Sequence, residues 1–114
     1  MPEVITEVLP AWKGASGNSY PYQAVEIGSI PNTAYGNYIF ARRDADGRWE
    51  AIYIGQGDLS VRTDLAQHHM RDLIQRRGAT HVHFRENPSL PDRMIERADL
   101  LDSNPGAYQP YAFR

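Results

Sequence analysis

Asn37-Tyr38-Ile39-Phe40-Ala41 and Trp49-Glu50-Ala51-Ile52-Tyr53-Ile54 are two aromatic and β-branched runs, separated by a segment that holds Asp46-Gly47. Such residues suit the pleated, half-buried surface of a sheet, and Asp-Gly accepts the positive φ angles of a tight hairpin turn. The two runs are expected to pair as antiparallel strands. After Gly55, Asp58 or Ser60 can cap a helix running to about Arg77, with Gly78 past its end as a stop. His81-Val82-His83-Phe84-Arg85 alternates with period 2 and predicts a third strand with Val82 and Phe84 toward the core. Pro91 opens a second helix that ends near Ser103, before Asn104-Pro105-Gly106. The expected class is α+β in ββαβα order, a small antiparallel three-stranded sheet flanked by helices.

Outward from this centre the signals weaken. Tyr20 to Ile27 is a further strand candidate, confined to an edge by Pro21. Residues 1–19 end in the turn-rich run Lys13-Gly14-Ala15-Ser16-Gly17-Asn18-Ser19 and are expected to form a loosely ordered lead-in to a domain over 20–114. The aromatic tail from Gly106 is expected to pack back on that domain. A chain of 114 residues has room for one core. With 41% hydrophobic and 23% charged residues, wholesale disorder and fibrous repeats are excluded. No window of about 18 apolar residues and no basic-then-apolar leader is found, so a cytosolic chain without a membrane partner is expected. The absence of cysteine excludes disulfide, thiolate-zinc and cysteine chemistry, leaving any metal to His, Asp, Glu or water.

The net charge of −2 hides an uneven distribution. Residues 60–85 carry Arg62, Arg71, Arg76, Arg77 and Arg85 against Asp64 and Asp72, a net of +3, and all four histidines lie there too. The flanks are acidic. Eleven of the twelve basic residues are arginine, whose fork fits phosphate, which tilts the reading toward a phosphate-bearing partner.

Placed on a helical wheel with Val61 at zero, Leu65, Leu73, Ala66 and Met70 define an apolar arc centred near 100°. Arg62 falls in the middle of that arc and His69 close to it, while His68 lies at its edge. A guanidinium and an imidazole in an apolar stripe need a partner or a cleft. Read alone, Arg62 either snorkels past the helix end or faces a ligand, and His69 either bonds a core carbonyl or serves a site. In the second helix Glu96 lies off the stripe of Met94, Ala98 and Leu101, and geometry alone makes it a solvated residue. His81, His83 and Arg85 share one strand face, most simply as a polar surface.

Gly36-Asn37-Tyr38, Tyr53-Ile54-Gly55-Gln56-Gly57-Asp58-Leu59, Arg62 and Glu96, in this order, resemble the GIY-YIG nuclease family over about Gly36 to Pro105. Asn37 stands where that pattern has an apolar residue, and Tyr108 or Gln109 occupies the region of a late Asn. The resemblance implies a metal-dependent endonuclease that hydrolyses DNA phosphodiester bonds. Tyr38 or Tyr53 would be the general base or a relay to water, with Arg62 supplying the nearby cation and contacting the phosphate. His69 would support the proton network. Glu96 would hold Mg²⁺ or Mn²⁺, and Gly55, Gln56, His68 and Arg71 would bind substrate. The alternative is a catalytically impaired module that binds nucleic acid or another partner without cutting. Tyr38, Tyr53, Arg62, His69 and Glu96 are expected to converge on one concave face; Glu96 on the far side from Tyr53 would end the nuclease reading. The sequence leaves the DNA form and the oligomeric state open.

Overall fold

The hairpin at the centre of the sequence is also the centre of the fold. The computed structural model describes residues 7–8, 11–29 and 34–110; positions 1–6 and 9–10 of the expected lead-in, and 111–114 of the tail, lie outside the described residues. Its elements are β1 (Glu7–Val8), β2 (Trp12–Lys13), β3 (Ser19–Tyr20), β4 (Gln23–Glu26), β5 (Tyr35–Arg43), β6 (Trp49–Asp58), α1 (Leu59–Arg62), a 3₁₀ turn (Leu65–Gln67), α2 (Arg71–Arg76), β7 (His81–Glu86) and α3 (Leu90–Ser103). β5 and β6 pair antiparallel, with Tyr38 opposite Gly55 and Ile39 opposite Ile54. At their turn the Asp44 carboxylate accepts from the backbone N–H groups of Asp46 and Arg48, and Gly47 takes φ 81°.

These elements make a small α+β domain with antiparallel sheets and few helices. The sheet is larger than the three strands expected, running β1-β4-β7-β5-β6, with β2 and β3 forming a separate ribbon. The outer edge of β7 would otherwise present a row of unpaired backbone groups. β4 covers it, with Val25 opposite Val82, and β1 adds two residues beyond. Pro21 falls in the break between β3 and β4, so the Tyr20–Ile27 stretch is two strands in different sheets. The described part of the lead-in is exposed over 15–19 yet tied to the domain, Asp99 on α3 accepting from the Ser16 N–H and hydroxyl and from the Tyr20 hydroxyl just beyond it.

The single helix expected over 58–77 is three short pieces. Asp58 does cap its start, accepting from the Ser60 N–H, and Gly78 does follow its end. In between, the Thr63 hydroxyl donates to the Leu59 carbonyl, and His68 Nδ1 accepts the Met70 N–H. Side-chain bonds of this kind compete with helical ones and break the run.

Two apolar clusters lie on the two sheet faces. One joins Tyr22, Ile39, Ala41 and Ile54 to Leu100 and Leu101 of α3; the other joins Tyr38, Phe40, Tyr53, Val82 and Phe84 to Leu59 and Ile74. Each strand thus sends alternate residues to α3 and to the α1–α2 side. The Tyr108 N–H donates to the Ile52 carbonyl, which docks the described part of the tail as expected. No helix of the described residues is long and apolar enough to cross a membrane.

Candidate functional site

Tyr38 and Tyr53, on adjacent strands, stack with ring centroids 6.1 Å apart, and Tyr108 stacks on the other side of Tyr53 at 5.9 Å. Tyr38 reaches the edge of the sheet because Gly55 opposes it: a Cβ there would overlap the Tyr38 ring and hydroxyl. Gly55→Ala is accordingly expected to displace the Tyr38 ring and cost about 1–3 kcal/mol, the usual penalty of overpacking. Urea unfolding checks it, and a variant as stable as the parent would show that the ring has room to move.

Both tyrosines line a cavity of about 170 Å³, together with Gly55, Gln56, Arg62, Met94 and Arg97. Arg62 lies against Gly57 at the start of the broken helix, and Arg97 arrives from α3. Neither arginine has an ion pair among the described residues. Arg93, one turn before Arg97, is buried and donates to the Gln56 side chain and the Asn87 carbonyl. Asn37, at the place of an apolar residue in the family pattern, is buried and donates to the Arg93 carbonyl at 3.0 Å. It ties α3 to the sheet beside the cavity.

The electrostatics make the phenols donors. Burial raises Tyr38, and the neighbouring Tyr53 adds to the rise; burial likewise raises Tyr53. Arg62 and Arg97 oppose both rises without overcoming them. At neutral pH both phenols stay protonated. His68 is buried and its Nε2 stands 2.9 Å from the Tyr38 hydroxyl. Burial, with His69 and Arg62 adding, pulls His68 down to about 4. The ring is therefore neutral, and because Nδ1 accepts the Met70 N–H, the proton sits on Nε2 and is donated to Tyr38. The Tyr38 proton is left to point elsewhere, toward Tyr53 and the cavity.

Set beside the expectations, Tyr38, Tyr53, Arg62, Gly55 and Gln56 come together. His68, expected at the edge of the arc, makes the contact with Tyr38, while His69 is exposed, stacks on His68 at 4.7 Å and meets the Tyr53 ring edge-on at 6.2 Å. The wheel failed there because it assumed an unbroken helix. Arg71 lines a different cavity, with Ile27, Asp64 and Gln75, away from the tyrosines.

Glu96 departs furthest. It is 1% exposed, accepts from the Tyr22 hydroxyl at 2.5 Å and pairs with Arg85 at 2.7 Å. Tyr22 belongs to the α3-side cluster, so the Glu96 carboxylate lies on the face opposite Tyr53. With Tyr22 and Arg85 occupying its oxygens and its side chain buried, Glu96 does not fit the role of Mg²⁺ or Mn²⁺ ligand at the tyrosines. Among the described residues, no three of His, Asp and Glu gather at a place that could hold a metal. Nor do the three polar residues of β7 form a solvated face: His83 is fully buried between Trp12 and Trp49, and Arg85 is taken up by Glu96.

Sequence reasoning missed Arg97, because the stretch 86–114 sums to a negative charge and conceals a single well-placed cation. Its place one residue after Glu96, about 100° further round the helix, was the available signal. Compared with known proteins, the chain matches no family model, no curated protein and no solved structure.

Proposed function

We propose that this chain binds a phosphodiester of nucleic acid, with DNA the polymer of first choice, in the cavity between Tyr38, Tyr53, Arg62 and Arg97. One observation carries the reading: two protonated phenols and two guanidiniums line a single small cavity whose lining includes no carboxylate. Phosphate oxygens accept hydrogen bonds and carry negative charge, which this donor set complements, and guanidinium forks suit them in particular. The reading keeps the GIY-YIG likeness of the tripeptides and of Arg62 while giving Glu96 a structural role.

The metal-dependent nuclease reading rested on Glu96 sharing a face with Tyr53, which it does not; what the Tyr38–Tyr53 pair beside Arg62 still favours, as a second reading, is hydrolysis of the bound diester by a different route. It would have to proceed without a metal held by Glu96, using the two arginines to offset charge on the phosphate oxygens.

Labelled DNA titrated with the protein and then resolved under denaturing conditions tests both readings. Intact DNA bound with roughly micromolar or weaker affinity at physiological salt is expected, because few phosphate contacts are available. Arg62→Ala should weaken it about tenfold, the loss of one charge-assisted contact. Arg62→Ala binding as tightly as the parent would remove the cavity from consideration. Shortened products that vanish in Tyr53→Phe would establish the second reading.

A further inference from the structure

We infer that the cavity holds its phosphate without a divalent metal, because Arg97 of α3 supplies the second positive charge. The inference rests on the phosphodiester reading above and adds to it a residue and a metal requirement. Arg62 and Arg97 reach the cavity from different elements, α1 and α3, so a phosphate between them would be bridged from two sides. Two guanidiniums together carry the charge of one divalent ion, and each also brings directed N–H donors. A divalent ion added between them would be repelled by both and would find no carboxylate on the lining to hold it. The one carboxylate expected to serve as its ligand faces Tyr22 and Arg85 across the sheet.

Arg97 also acts on the tyrosines, its charge being the first of the effects that oppose the rise of Tyr53. The same cation thus stands within electrostatic reach of both groups expected to touch the ligand. Its side chain is partly exposed and unpaired among the described residues, so its removal leaves no buried partner stranded.

The experiment is fluorescence anisotropy with a labelled single-stranded DNA oligonucleotide, run in EDTA and in excess MgCl₂ at matched ionic strength. Affinity in the two buffers is expected to agree within about twofold, the small change that ion competition alone produces. Arg97→Ala should bind about tenfold more weakly in both buffers. Its affinity should also fall less steeply with salt, by about 0.7 in the logarithmic slope for one lost contact to a single strand. Arg97→Lys should recover part of the affinity, keeping the charge but not the fork. Circular dichroism confirms that both variants are folded. Binding present in MgCl₂ and lost in EDTA overturns the inference and leaves the phosphodiester reading standing, as does an Arg97→Ala variant indistinguishable from the parent. Absence of binding by the parent in either buffer overturns the phosphodiester reading itself.

Discussion

Replacing Glu96 with alanine is expected to destabilise the fold by about 3–5 kcal/mol, the cost of stranding a charge that a buried pair had satisfied. The lower end applies, because Arg85 is 32% exposed and water can reach it once its partner is gone. Tyr22 is worse placed: its hydroxyl is buried and would lose its acceptor altogether. For a domain of this size the loss corresponds to a fall in Tm of about 10 °C or more. Glu96→Gln, which keeps an acceptor for Tyr22 but gives up the charge, should fall between the two. Thermal unfolding of the three proteins decides between the structural role and the metal-ligand role. A surface carboxylate poised for a metal would be lost with no change in Tm, or with a gain, so an unaltered melting curve would contradict the buried pair.

Mild acid should unfold the protein through two histidines that are held neutral. His83 accepts the Trp12 indole N–H on Nδ1 and is pulled down to about 3, chiefly by burial, with His81 and Arg43 adding. His68 is pulled down to about 4. An unfolded histidine titrates near 6.5, so between that pH and the folded values the unfolded chain binds more protons than the native one. Depressed folded values mean that this stability is complete above about pH 6.5 and is lost as the pH falls toward 4. Each histidine contributes a slope approaching 1.4 kcal/mol per pH unit within the window. Two of them amount to several kcal/mol between pH 6.5 and 4.5, a large share of a small domain's total. Urea midpoints at pH 7 and 4.5 measure the effect. His68→Gln should flatten the dependence, and equal midpoints for the parent at both pH values would show that neither imidazole is held in its neutral form.

The parts of the fold that were legible in the sequence are those fixed by neighbours along the chain. Asp44, Asp46 and Gly47 make their turn among themselves, and the Tyr38 and Tyr53 runs then meet because the turn leaves them nowhere else to go. β7 was readable for the same reason, its alternation placing Val82 and Phe84 in the core. The limits appear where a residue's environment comes from far away in sequence. Hydrophobic patterning expected Met94, Ala98 and Leu101 inside α3 and Glu96 outside; Leu101 is buried as expected, but Met94 and Ala98 are exposed, and Arg93, Glu96 and Leu100 are buried instead. The charged residues can go in because their partners arrive from other elements, Gln56 and Asn87 for Arg93, Tyr22 and Arg85 for Glu96. Periodicity has no means of pricing such pairs. The broken helix failed differently: Thr63 and His68 satisfy backbone groups that a regular helix would have used, so that Leu65, Met70 and Leu73 still pack against the core as the wheel expects while Ala66 is exposed and His68 buried against it.

The clasp between the β2–β3 ribbon and Asp99 bears on the cavity from a distance. Adjacent residues on a helix stand about 100° apart, so whether an acid or a base from α3 looks toward Tyr53 is a question of how the helix is turned about its own axis. Asp99 lies three residues beyond Glu96 and is gripped by Ser16 and Tyr20, while the Asn37 amide grips the backbone at Arg93, three residues before it. These fixings on either side, with the Arg93 and Glu96 side-chain bonds between them, leave the helix no free rotation. A segment that reads as a preamble to the domain thereby serves as one of the stops that set the sign of the charge offered to a ligand.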